Sequence, residues 1–133
     1  MRKVFQNPDG APRPIGQYSQ AVRIETGDTA LIFIAGQVAV DVAGDTVGVG
    51  DVAAQAEQVY KNIAAILAAN GATFADVVKL NTYLVNIADR PAIAEARGRY
   101  LADEPPASTL VAVNALAHPD FLIEIEAVAA VQL

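Results

Sequence analysis

The chain has 133 residues, no cysteine and a net charge of −6. This length suits one domain with its own core, and the missing thiols exclude disulfides, thiolate catalysis and cysteine-ligated metals. The acidic balance argues against broad nucleic-acid binding, which rests on Lys and Arg neutralising phosphates.

The opening stretch, MRKVFQNPDG, has no apolar core of the kind a secretion signal carries. No apolar run approaches the roughly 18 residues of a spanning helix. The expectation is a soluble cytoplasmic protein without a membrane segment. KVF (3–5) suggests a short first strand, and the Pro- and Gly-rich NPDGAPRPIGQ (7–17) reads as a loop. AVRIE (21–25) alternates as a half-buried strand does, and TGD turns the chain. TALIFIAGQVAV (29–40) is continuously apolar, which predicts a strand covered on both faces. Gly36 interrupts it, as a bulge or a close backbone approach would.

Asp51 suits a helix cap. After it Val52, Ala56, Val59, Ile63, Ile66 and Leu67 recur at spacings of three and four, until Asn70–Gly71 stops the helix. DVVKLNTYLVNI (76–87) predicts a strand, Pro91 the first turn of a helix running to about Leu101, and Pro105–Pro106 its end. STLVAVNAL (108–116) and FLIEIEAVAAVQL (121–133) are the last strands. The order β, β, β, α, β, α, β, β is satisfied by one mixed sheet with two helices on one face, an α+β architecture. The other face would be apolar and bare, and the 53% hydrophobic content also exceeds what a lone small domain needs. Packing against further copies of the chain would cover it.

Candidate chemistry is sparse. Glu124 and Glu126 share one strand face, opposite Ile123, Ile125 and Ala127. They are either a solvated face or carboxylates that orient and deprotonate a water. The single histidine, His118 in AHPD, lies outside any metal or triad spacing and reads as a loop residue. Tyr18, in IGQYSQ, is a packing tyrosine or a pocket lining. The glycines form no GxGxxG and no P-loop. Arg97 is a solvated cation or the one guanidinium near strand ends that face a cleft. PPASTLVAV (105–113) opens an apolar strand on two hydroxyls, Ser108 and Thr109, as a turn or a pocket rim would.

Taken together, IGQYSQAV (15–22), IFIAGQVAVD (32–41), DVAAQAEQVYKNIAAILAANGA (51–72), DVVKLNTYLVNIAD (76–89), PPASTLVAV and IEIEAVA (123–129) resemble the Rid family, also called YjgF or reactive intermediate deaminases. The resemblance covers nearly the whole chain. It implies a chorismate-mutase-like fold over residues 1–133 as a single domain, and a homotrimer with small-molecule sites in the clefts between subunits. Active members hydrolyse enamines or imines, such as 2-aminoacrylate, to 2-keto acids and ammonia, with no cofactor or metal. Carried over by position, the catalytic pair would be Glu124, which positions the water, and Tyr18. Ser108, Thr109, Arg97, Ala35 and Gly36 would be the substrate-binding set. Ser108 stands where active members carry the arginine that holds the substrate carboxylate, Leu110 where they often carry a cysteine, and Arg97 where they carry an asparagine. Three readings follow: an imine or enamine hydrolase with a substrate other than 2-aminoacrylate, a non-catalytic trimer binding a metabolite or partner, and an endoribonuclease, against which the acidic charge argues.

Overall fold

Alternating apolar residues build the strands of this chain, and a spacing of three and four builds its helices. The computed structural model describes residues 1–133. Its elements are β1 (Arg2–Gln6), β2 (Ala21–Thr26), β3 (Thr29–Gln37), α1 (Val52–Ala69), β4 (Val77–Leu84), α2 (Arg90–Tyr100), β5 (Ala107–Ala112) and β6 (Ile123–Gln132). Single 3₁₀ turns at Phe74–Asp76 and Ile87–Asp89 lead into β4 and α2. The strands form one sheet in the order β1-β2-β3-β6-β4-β5. Every pair is antiparallel except β4 with β5, which α2 connects. β6 therefore lies inside the sheet, while β5 is an edge with a single neighbour.

One face of the sheet carries the core. Ala30, Ile32 and Ile34 of β3, Ile123 and Ile125 of β6, and Leu80 and Leu84 of β4 are buried there. All but Ala30 pack with Val59, Tyr60, Ile63, Ile66 and Leu67 of α1 and Ile93 and Ala96 of α2. The run 29–40 was expected to be covered on both faces. Instead β3 ends at Gln37, and Phe33, on the face away from the helices, is 42% exposed. Both helices take the same side, so nothing within the chain covers the other.

Polar side chains of α1 tie down the segments flanking the sheet. Asp51 accepts from the Ala54 amide at 3.1 Å and caps the helix; Gly71, at φ 68°, lets the chain leave it. Buried Gln55 donates to the carbonyls of Gly48 and Asp120 at 3.1 and 2.7 Å, and accepts from the Leu122 amide at 2.9 Å. It thereby fixes the entry to β6. Asn62 donates to the carbonyls of Val38 and Val40 just after β3. Gln55→Leu will cost roughly 2–4 kcal/mol, because an amide and two carbonyls lose their partner. At about 3–5 °C per kcal/mol for a chain of this size, a thermal melt will fall by about 10 °C; a fall within 2 °C would contradict this role.

Candidate active site: two halves on opposite faces

The first half grows from a bulge. Ile34 pairs with Ala127 and Gln37 with Ile125, so β3 spends one residue more than β6 across Ala35 and Gly36. The bulge turns Gln37 inward, where it donates to the Gln20 side chain at 2.6 Å and to the Ala35 carbonyl at 3.0 Å. Gln20 donates in turn to the Pro12 carbonyl at 2.8 Å. This amide chain anchors the Pro-rich loop against the bulge. Tyr18, on that loop and 42% exposed, lines a narrow cleft with Gly36, Arg13 and Ile15. Its hydroxyl accepts from the Ile15 amide at 3.2 Å.

Glu124 occupies the space that Gly36 leaves. A Cβ built on Gly36 would stand 2.8 Å from the Glu124 carboxyl carbon and 3.1 Å from its Cγ. Both expectations for Gly36, a bulge and a close approach, are met in one residue. Glu124 points to the open face beside Tyr83 and Glu126. Burial and then the charge of Glu126 raise its pKa, and no donor or cation opposes them. Glu126 itself accepts from the Tyr83 hydroxyl at 2.7 Å and from the Asn81 amide at 2.9 Å. That hydrogen bond, more than burial, pushes the Tyr83 phenol up. Of the two acids on this strand, one is clamped by its neighbours and the other is left with its proton shifted upward. Ala35 lines a groove of about 350 Å³ on the same open face with Phe33, Lys79, Asn81 and Glu126.

The second half lies at the β5 edge. Ser108 pairs with Leu80, whose side chain is wholly buried beneath the helices, so Ser108 faces the helix side. Thr109 pairs with Asn81 and faces the open side, where it accepts from the Lys79 ammonium at 2.9 Å. The two hydroxyls expected to act together diverge, as adjacent residues of a strand must. Ser108 lines a cleft of about 530 Å³ with Arg90 and Arg97, walled by Ile87, Ala94 and Leu110. Arg97 was expected to be the one guanidinium toward a cleft; Arg90 shares its cleft and Arg13 lines the one beside Tyr18. The Arg97 guanidinium also lies against the buried Tyr60 hydroxyl. It favours the phenolate there, but burial outweighs it and the Tyr60 pKa is raised. No protein group completes an ordinary hydrogen bond to that hydroxyl.

Within one chain, then, Glu124 stands on the open face and Ser108 with Arg97 on the helix face. His118 is an exposed loop residue whose Nδ1 accepts from the Asp120 amide at 3.1 Å. No three His, Asp or Glu side chains converge as a metal would need, and no helix is long and apolar enough to cross a membrane. Sequence reasoning missed Arg90, Arg13, Gln20 and the Tyr83–Glu126–Asn81 cluster. For Arg90 a signal existed: it precedes Arg97 by seven residues, two turns of one helix.

Comparison with known proteins gives the family and the fold. The sequence profile described as Endoribonuclease L-PSP matches residues 9–131. Protein DfrA of Myxococcus xanthus is 41% identical over 121 residues, covering 91% of this chain and 90% of that protein. The human 2-iminobutanoate/2-iminopropanoate deaminase is 39% identical over 119 residues, covering 90% of this chain and 83% of that protein. The crystal structure of RidA from an Antarctic Psychrobacter superposes with a TM-score of 0.84 at 35% identity, covering 98% of this chain and all of that one.

Proposed function

The chain belongs to the Endoribonuclease L-PSP family, the Rid or YjgF proteins, with their chorismate-mutase-like fold, and on that premise we propose that it hydrolyses small imines or their enamine tautomers to carbonyl compounds and ammonia. The observation that carries the reading is Glu124: a half-buried carboxyl, raised in pKa, set in a gap that only glycine at position 36 leaves open. Such a group holds a proton more readily than an ordinary carboxylate and can take one from water and hand it on. In the proposed reaction water adds to the imine carbon as Glu124 takes its proton. The carboxyl passes that proton to nitrogen to give a carbinolamine, then relays the carbinolamine hydroxyl proton to the same nitrogen as the C–N bond breaks, so that ammonia leaves a C=O behind. Tyr18 shares a cleft with Gly36 and would border the reacting group from that side.

Recognition falls to the other half. Ser108 supplies a hydroxyl but no charge, and Arg97 supplies the guanidinium that a substrate carboxylate needs. The halves face opposite sides of the sheet, so this reading has them meet between subunits of a cytoplasmic homotrimer. The bare face, with Phe33 exposed, supports that packing. A second reading, a trimer that binds a metabolite without turnover, is favoured by Ser108 alone. Imino acids generated in situ from amino acids and trapped as semicarbazones test the two. Wild type should accelerate imine loss, and Arg97→Ala should raise KM by at least about 30-fold, the low end for breaking a buried charge pair. No acceleration by wild type or by Ser108→Arg on any imino acid would leave the binding reading in its place.

A further inference from the structure

The three arginines of α2 are used differently. Arg99 is consumed by the protein: it pairs with Glu57 at 2.6 Å and with Glu95 at 3.0 Å, and Glu57 also accepts from the Tyr100 hydroxyl at 2.6 Å. Those bonds hold the Glu57 carboxyl below its ordinary range, the tyrosine contributing most. Burial, then Glu57, pushes the Tyr100 phenol up to about 12. Arg90 and Arg97 have no ion pair with any carboxylate, although Asp89 adjoins Arg90 in the chain.

These two stand seven residues apart on one helix. Seven residues rise about 10 Å and bring the side chain back to within about 20° of the same face. Both line the cleft that Ser108 borders. Two unpaired cations in one pocket repel each other and raise its affinity for negative charge. Between them the walls are aliphatic, formed by Ile87, Ala94 and Leu110. A single carboxylate engages one guanidinium fork; the second fork has no partner in the chain and no use with a monoanionic substrate.

We propose that this cleft selects dianionic ligands, specifically imino or keto acids with a second carboxylate at the far end of a four- or five-carbon chain. Arg97 and Ser108 hold one carboxylate, Arg90 holds the other, and the aliphatic walls take the carbons between. The assignment of a reacting imine to this cleft rests on the hydrolase reading; selection of a dianion does not. It accounts for the loss of arginine at position 108, because the charge has moved to α2 and doubled.

Titration calorimetry with the stable products separates the two ideas. Oxaloacetate and 2-oxoglutarate should bind wild type at least tenfold more tightly than 2-oxobutanoate. Arg90→Ala should weaken the dicarboxylates at least tenfold more than it weakens 2-oxobutanoate, and Arg90→Lys should recover part of the difference. Circular dichroism and a thermal melt confirm that each variant is folded. In parallel, iminosuccinate and 2-iminobutanoate are offered as substrates. Dicarboxylate preference without imine hydrolysis overturns the hydrolase reading and upholds the dianion site. Hydrolysis with equal binding of both acid classes, untouched by Arg90→Ala, overturns the dianion site and upholds the hydrolase. If no keto acid binds and no imine reacts, both are overturned.

Discussion

Glu124→Gln will lose imine hydrolysis and gain stability. Removing a positioned acid–base group costs about 10²–10⁴-fold in rate, and glutamine neither accepts the proton from water nor returns one to nitrogen. The gain in stability comes from the same environment. Burial and Glu126 raise the folded-state pKa of Glu124 above its ordinary 4.5, so the folded protein holds this proton more tightly than the unfolded chain does. Below the ordinary value both states are protonated and the group is neutral toward folding. As pH rises through the higher folded value, folding bears the cost of ionising it. Glutamine carries no such cost. The variant should therefore melt above wild type at pH 7, and the gap should close as pH falls toward 4. A variant that melts below wild type at neutral pH would contradict the electrostatics. One that keeps turnover would contradict the chemistry.

Gly36→Ala will disable the same step without touching a reactive group. The atoms nearest the new Cβ all belong to the Glu124 side chain, so the fold can absorb it by swinging the carboxyl aside. Folding should survive while turnover drops by about 10²-fold or more, since small displacements from the working geometry have effects of that order. The double variant Gly36→Ala/Glu124→Gln should be no slower than Glu124→Gln alone, because both changes remove one contribution and contacting sites do not add. Full activity in Gly36→Ala would mean that the carboxyl works from another position. A further loss in the double variant would mean that Gly36 does something besides make room.

Much of this was legible in the chain. The α1 boundaries followed from Asp51 and Gly71, where capping and a left-handed turn are local requirements. The inward Ile123 and Ile125 and the outward Glu124 followed from period-two alternation alone. Gly36 announced itself by interrupting an apolar run, though not what it makes room for. That depends on a register between strands nearly ninety residues apart. The same holds for Tyr83 and Glu126, which meet across β4 and β6. The apolar run in β3 misled, because hydrophobicity does not say what covers a face, and nothing within the chain covers this one. Ser108 and Thr109 were grouped as two hydroxyls at one strand entrance, although alternation already placed them on opposite faces.

On the proposed reading, the strand arrangement separates two tasks, proton transfer and ligand choice. Glu124 sits on β6, bonded on both sides by β3 and β4, while Ser108 sits on β5, bonded on one side only. A strand with two ladders opens only with the global unfolding of its sheet, whereas an edge strand opens locally at lower cost. Substitutions in β5 are correspondingly cheap. The proposed reacting carboxyl is thus built into the doubly bonded part of the sheet, and the proposed ligand-choosing residue into its edge. On the proposed reading, a chain built this way can change what it binds at β5 with little loss of stability, while the strand that carries Glu124 remains under the constraints of folding itself.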